Sequence, residues 1–216
     1  MEKSYNFSTI RFADLEQIVD IRMGNDEAYE HRFDEWFEFA YPLEKFEVDF
    51  LEKLIQKHRR RLPLYSEEKL KMKFLSPILN QVDFLTNDFQ DWYDSTISGF
   101  VNGVELKGFA DMMVAKGIYE PEKPYFFIQE FKPSKPDRDP EVQLLAEMLV
   151  AIEKNNSTIL RGSYIIGRNW YFVILEKISE NSYEYFVSKQ FDSLELDALK
   201  QIYINLQAVK LNYCKD

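Results

Sequence analysis

Apolar positions along the chain change their spacing several times, and each change marks a predicted element. From Ser66 to Leu79, from Pro140 to Ile152 and from Leu194 to Leu211 they recur every three or four residues, which predicts helices. Between these helices lie short apolar runs bounded by turn residues, which predict strands. The expected strands are 98–101, 104–115, 124–132, 163–167, 170–175 and 183–187. This alternation predicts an α/β fold in which a mixed sheet is flanked by helices.

One tight turn in this pattern is specific. Asn102-Gly103 stands between two alternating runs, and this dipeptide is the strongest short signal for a two-residue hairpin. We therefore expect the strands on either side to pair antiparallel, with the second strand running past Asp111. Residues 83–95 are predicted to be a loop or a short strand that leads into the sheet.

The first 62 residues follow a different pattern and are predicted to form a helical appendage, with the core domain at 63–216. One short helix is expected from Ala13 to Met23. Aromatic residues around Trp36 recur at helical spacing, and a second helix resumes after the interruption at Pro42. Such helices could contact a second copy of the chain or another protein.

Charged residues at two predicted strand ends suggest chemistry. Asp111 follows one apolar strand, and Glu130-Phe131-Lys132 ends the next. Side chains alternate along a strand, so Glu130 and Lys132 should project to one side and Phe131 to the other. Two carboxylates are what Mg²⁺ commonly takes from a protein while it keeps several waters, and a nearby lysine could steady a water that attacks phosphorus.

With 18 residues (112–129) between the first acid and Glu130-Phe131-Lys132, this arrangement resembles the PD-(D/E)XK nuclease superfamily, although Ala110 stands where that family has a proline. The resemblance implies a restriction-endonuclease-like fold. It also implies a Mg²⁺- or Mn²⁺-dependent endo- or exonuclease that hydrolyses DNA phosphodiester bonds with a metal-activated water. Asp111 and Glu130 would bind the metal, and Lys132 would orient the nucleophile.

Two flanking helices extend this resemblance over about residues 63–190. The stretch from Ser66 to Leu79 is similar to the opening helix of the nuclease-like domains at the N-terminus of type I restriction motor subunits and their stand-alone relatives. That similarity implies Glu67 as a further metal ligand, with Glu68 as the alternative if the register shifts by one. Acids in a first helical turn are also favoured by the helix dipole alone. The helix after Pro140 is similar to the one that follows the family's Glu-x-Lys strand, and it implies Gln143 as a site residue.

Two other readings stay open from the residues. The chain could be a catalytically inactive domain of this fold that serves as a nucleic-acid- or protein-interaction module, or an unrelated α/β domain in which the pattern arose by chance. The formal net charge of −10 argues against an enzyme that acts on nucleic acid and against duplex binding, because affinity for phosphates is chiefly electrostatic. The basic run 57–61 and the loop residues Lys135 and Arg138 are candidate phosphate contacts, or simply solvated cations.

Composition limits the kinds of site and the cellular compartment that we expect for this chain. A hydrophobic content of 45% indicates a folded chain, and a single cysteine, Cys214, leaves no intramolecular disulfide. Two histidines and one cysteine make a zinc site of nitrogen and sulfur ligands improbable. No apolar run reaches the length of a membrane span, and no leader opens the sequence. We therefore expect a cytoplasmic protein with no membrane contact, whose partner is nucleic acid, foremost DNA.

Overall fold

The computed structural model describes residues 3–25 and 31–214, and nine strands in these ranges form one mixed sheet. The strands are β1 (Ser4–Asn6), β2 (Asp20–Met23), β3 (Phe89–Val101), β4 (Val104–Lys116), β5 (Glu122–Lys132), β6 (Ile159–Ile166), β7 (Asn169–Ser179), β8 (Ser182–Val187) and β9 (Phe191–Asp192). Their order in the sheet is β1-β4-β5-β6-β7-β8-β2, with β3 on the other edge of β4 and β9 beside β7.

Helices cover both faces of this sheet. They are α1 (Phe12–Ile18), α2 (Asp34–Phe37), α3 (Lys45–His58), α4 (Glu67–Leu70), α5 (Ser76–Val82), α6 (Pro140–Asn155) and α7 (Leu196–Tyr213), with a π-helical segment (Lys71–Leu75) joining α4 to α5. Short 3₁₀ turns lie at Phe7–Thr9 and Leu62–Leu64. None of the helices in the described ranges is long and apolar enough to cross a bilayer.

Two apolar clusters, one on each side of the sheet, hold the layers together. Helix α6 packs across β3, β5 and β6, and nearly all of its side chains are buried. Helix α7 covers the opposite face together with α2, α3 and α5. The chain is therefore a three-layer arrangement in which helices enclose a mixed sheet, as the alternating pattern predicted.

Strand β4 branches the sheet, and this branching positions the site. Strand β3 pairs with β4 along its full length on one edge. On the other edge, β1 pairs with residues 105–107 and β5 with residues 112–116. Strand β5 then continues beyond β4 and pairs in parallel with β6, so the chain returns through α6 between them. The N-terminal half of β4 and the C-terminal end of β5 therefore separate at Asp111.

The hairpin expected at Asn102-Gly103 is present, and both residues have the positive φ angles, 46° and 75°, that a tight primed turn requires. The expected start of α6 is also correct, because Asp139 accepts a hydrogen bond from the Glu141 N–H and Pro140 occupies the first turn. These local signals agree with the tertiary structure.

Several boundaries differ from the sequence prediction. The helix expected over 13–23 ends at Ile18, and the residues after it form β2, which pairs in parallel with β8. The loop or short strand predicted for residues 83–95 contains the start of β3, which is longer than predicted at 13 residues. For β2, pairing with a distant strand overrides a weak local pattern. Part of the predicted helix around Trp36 falls at residues 26–30, outside the described residues; the described part is the four-residue α2.

The helical appendage at 1–62 also needs correction. Strands β1 and β2 belong to the main sheet, and Trp36 and Leu51 lie in the same apolar cluster as residues of β5 and β7. Its longest helix, α3, matches the helix predicted after Pro42. This segment thus supplies sheet edges and core side chains as well as helices.

Candidate active site

Asp111 lies where β4 and β5 separate. The last paired residues are Met112 and Gln129, and beyond them the Asp111 Oδ2 atom accepts a hydrogen bond of 2.7 Å from the Phe131 N–H. Opposite on β3, Asp94 has a φ of 46°, which interrupts the regular ladder. The Asp111 carboxylate thus accepts the hydrogen bond that the Phe131 N–H would make to a backbone carbonyl if the pairing continued.

Glu130 and Lys132 project to the same side of β5, as their spacing predicted. The Lys132 Nζ atom lies 3.0 Å from Glu130 Oε2 and 3.8 Å from Asp111 Oδ2. It also donates to the Phe131 carbonyl at 3.1 Å. Phe131 itself points to the opposite face and packs in the core with α7. The structure therefore brings the three sequence-predicted residues of the two strands together.

Gln143 reaches this group from the first turns of α6. Its Nε2 atom donates to Glu130 Oε1 at 2.6 Å and lies 3.1 Å from Glu147 Oε1, one turn further along the helix. Glu147 is fully buried, and among the described residues its Oε2 atom has no hydrogen-bond partner. Sequence reasoning missed Glu147, although an acid in the apolar stripe of α6, four residues after Gln143, was a visible signal.

The helical segment after Ser66 closes another side of the site. Ser66 accepts a hydrogen bond from the Lys69 N–H and so fixes the start of α4. Glu67 in its first turn places Oε2 3.8 Å from Lys132 Nζ. Glu68 is exposed, and no described contact joins it to the group. Of the two candidate acids, Glu67 is the one that lies at the site.

A second lysine, which sequence reasoning did not assign to the site, also contacts Asp111. Lys71 begins the π-helical segment, and its Nζ atom lies 2.5 Å from Asp111 Oδ1, 3.7 Å from Glu67 Oε1 and 3.4 Å from Asp94 Oδ1. Short π-helical segments often occur at functional sites. The available signal was the spacing of four residues from Glu67, which places both side chains on one helix face.

Burial determines whether the carboxyl groups of Glu130 and Glu147 are protonated. Loss of solvation raises the pKa of Glu130 to about 8, with Asp111 adding to the rise and Lys132 opposing it. Burial also raises the pKa of Glu147 well above its ordinary value, and the Glu130 carboxylate adds to that shift. Burial alone would lower the pKa of Lys132, but Glu130 and Asp111 outweigh it, so the pKa is raised and the ammonium stays charged.

These side chains open into a cleft of about 560 Å³. It is lined by Asn6, Ser8, Glu67, Phe109, Asp111, Lys132, Asp137, Arg138 and Gln143. Neither the basic run 57–61 nor Lys135 is part of this lining. His58 is buried and hydrogen-bonded to the Tyr65 hydroxyl at 2.7 Å, and Arg59 pairs with Glu195. Of the candidate phosphate contacts, only Arg138 borders the cleft.

No protein-family model matches this chain, and no curated protein matches it. The chemistry of the site therefore has to be judged from its own side chains.

The oxygen atoms around Lys132 indicate which kind of cation the site could bind. Within the described residues, no three histidine, cysteine or acidic side chains lie close enough together to form a metal-binding group. Oxygen atoms of Asp111, Glu130, Glu67 and the Phe131 carbonyl nevertheless lie within 3.8 Å of the Lys132 ammonium. All four are hard oxygen donors, which suit Mg²⁺ or Mn²⁺ and not a thiophilic ion. Their chemical type therefore suits such a cation, but the ammonium lies between them, and no three of the acids form a metal-binding group among the described residues.

Proposed function

We propose that this chain is a nuclease of restriction-endonuclease-like fold, which hydrolyses phosphodiester bonds in DNA with the help of Mg²⁺ or Mn²⁺. The observation that supports this most strongly is the convergence of Asp111, Glu130 and Lys132 at the point where two neighbouring strands diverge. Their spacing in the sequence resembles that of the nuclease superfamily, and a carboxylate oxygen of Asp111 and one of Glu130 each lie within 4 Å of the Lys132 ammonium.

Asp111 and Glu130 would hold the metal ion, with Glu67 bound directly or through water. When bound, such an ion makes a water more acidic and offsets negative charge on a phosphoryl group. Gln143 holds the Glu130 carboxylate in place through its 2.6 Å hydrogen bond. These contacts keep the oxygen donors in position before substrate arrives.

Lys132 would orient the attacking water and balance the charge of the reacting phosphate. Its raised pKa keeps it protonated, so it serves as a hydrogen-bond donor rather than as a base. As the water oxygen forms a bond to phosphorus, that water gives up a proton to solvent; the bond from phosphorus to the leaving oxygen breaks, and the leaving oxygen takes up a proton from solvent. Lys71, paired with Asp111, is a second cation near the same phosphate position.

One observation favours a second candidate function. Lys71 and Lys132 already pair with the acids of the site, and the overall net charge is −10, so the same geometry suits an inactive domain of this fold that binds nucleic acid or protein. In that case the two ion pairs are structural. A contact to a second copy or another protein through the N-terminal helices stays a prediction under either function.

The test is cleavage of plasmid, linear and single-stranded DNA by purified protein with Mg²⁺ or Mn²⁺. Lys132→Met and Asp111→Asn should abolish cutting, while Lys135→Ala, an exposed lysine of the neighbouring loop, should leave it unchanged. Calorimetry should detect Mg²⁺ binding to the wild type and weaker binding to Asp111→Asn. If no nucleic acid is cut and no ion binds, the nuclease proposal is wrong and the interaction module takes its place.

A further inference from the structure

The edge of β4 is open next to the site. Strand β1 pairs up to Lys107, and β5 pairs from Met112 onward. Between these two points, no strand of the described residues pairs with residues 108–111 on this edge, although β3 pairs with residues 108–110 on the other. The gap forms one wall of the 560 Å³ cleft, and the 3₁₀ turn after β1 forms another. The sheet thus has an opening that leads directly to Asp111.

An exposed aromatic ring lies in this opening. Phe109 is 62% exposed and lines the same cleft as Asp111 and Lys132. A single exposed phenylalanine is common on protein surfaces, but this ring lines the cleft that holds Asp111 and Lys132, where it can bind a ligand with an apolar face. A nucleobase has such a face, and stacking on aromatic side chains is a common way to bind single strands.

A cation lies on the far side of the opening. Arg138 borders this cleft and an adjoining one of about 490 Å³, which lies between the start of α6 and residues 7–12. Its side chain is exposed and forms no ion pair with the described residues, although Asp137 and Asp139 flank it in sequence. Ser8 and Gln143 also border both clefts, so the two form one continuous groove.

From this geometry we infer that the groove takes an unpaired nucleic-acid strand, with a base stacked on Phe109 and a neighbouring phosphate on Arg138. That this strand lies beside the reacting phosphate rests on the proposed function. In a duplex, bases are stacked on each other and cannot cover a side-chain ring. The groove also offers few cations, namely Lys132, Arg138 and the Asp14-paired Arg11, which suits a short single-stranded contact better than a long duplex footprint.

Fluorescence anisotropy with Ca²⁺ in place of Mg²⁺ tests this inference. The probes are labelled oligothymidylate and oligouridylate of about 12 nucleotides and a duplex of the same length. We expect Phe109→Ala to weaken single-strand binding about 5- to 100-fold, and Phe109→Trp to restore it, because stacking is lost and then regained. Phe100→Ala is the matched control, since Phe100 is also exposed, at 57%, on the sheet but does not line the groove.

Arg138→Ala should weaken binding and lower its salt dependence, whereas Lys135→Ala on the same loop should not. Comparison of the two single strands, which differ in the sugar and in the thymine methyl group, distinguishes DNA from RNA as the source of the strand. If Phe109→Ala binds as well as Phe100→Ala, or if the duplex binds more tightly than both single strands, the inference is wrong whatever the protein cleaves. If Phe109-dependent binding is found but no nucleic acid is ever cut, the nuclease proposal fails while the groove stands.

Discussion

Replacement of the buried Glu147 with glutamine should flatten the pH dependence of stability. The side chain is fully buried, and its carboxyl group shares the Gln143 amide with Glu130. Glu130 has the Lys132 ammonium 3.0 Å away, whereas no salt bridge joins Glu147 to a cation among the described residues. Glu147 is therefore the more firmly protonated of the two carboxyls near neutral pH, and glutamine is the neutral residue of the same shape.

The size of the effect follows from proton uptake on folding. An unfolded glutamate ionises near pH 4.3, while burial raises the pKa of Glu147 far above that in the native state. Between these two values the native state holds one more proton than the unfolded state, so stability falls by about 1.4 kcal/mol per pH unit as pH rises. Over the part of the range from pH 5 to 7.5 in which native Glu147 stays protonated, the wild type should lose stability at this rate through this residue, and Glu147→Gln should lose none of it.

Urea denaturation in EDTA at several pH values between 5 and 8 measures this difference. At each pH, the unfolding free energy of the wild type is subtracted from that of the variant. The change of this difference with pH reports on Glu147, since the contributions of other titrating groups cancel. Glu68→Gln, which removes an exposed acid, should give a curve parallel to the wild type. Parallel curves for Glu147→Gln as well would show that Glu147 is ionised in the native protein and that the reasoning from burial is wrong.

Three further outcomes are expected. Lys132→Met should reduce cleavage by about 10²- to 10⁴-fold in a metal-dependent assay, because the positioned ammonium is lost. Mg²⁺ affinity measured by calorimetry should rise about tenfold per pH unit up to pH 8, because Glu130, with its pKa of about 8, must first lose a proton. Glu47→Leu should lower the unfolding free energy by about 2–4 kcal/mol, since this buried carboxylate accepts hydrogen bonds from two tyrosine hydroxyls and a backbone N–H.

Each of these has a result that would contradict it. Cleavage by Lys132→Met at the wild-type rate would remove the lysine from the mechanism. A Mg²⁺ affinity that is constant from pH 6 to 8 would mean that Glu130 is already ionised. An unfolding free energy of Glu47→Leu within about 0.5 kcal/mol of the wild type would show that the tyrosine hydroxyls find other partners. Glu52→Gln, an exposed acid on the same helix, is the control for the last case.

The central pair of strands could be predicted because its signals are local. The alternation of side chains along a strand fixes Glu130 and Lys132 on one side before any tertiary contact is known. Asn102-Gly103 requires a backbone conformation that almost only a hairpin supplies, which joins β3 to β4 and so places Asp111 in the sheet. Neither inference needs information about distant parts of the chain.

Other features depend on contacts that no short pattern contains. Strand β2 exists because β8 offers it a parallel partner about 160 residues away, so its own residues read as the end of a helix. Lys71 is one of several lysines that the sequence suggests are solvated, and its contacts with Asp111 and Asp94 arise only when β3 and β4 lie beside its helix. Whether Glu147 is buried depends on how α6 lies against β5, which its apolar stripe alone does not determine.

The divergence of β4 and β5 gives Asp111 two tasks, and this affects how its variants are interpreted. Its Oδ2 atom satisfies the Phe131 N–H, which has no strand partner on β4, while Oδ1 pairs with Lys71. Asp111→Ala would leave a buried N–H without a partner and take the nearest acid from the Lys71 ammonium, at a cost of about 1–3 kcal/mol for the N–H alone. Loss of cleavage in that variant would therefore not separate catalysis from folding. Asp111→Asn keeps an oxygen for the N–H but removes the charge and turns an NH2 group toward the Lys71 ammonium. Loss of activity in this variant at an unchanged unfolding free energy would assign the carboxylate to the chemistry.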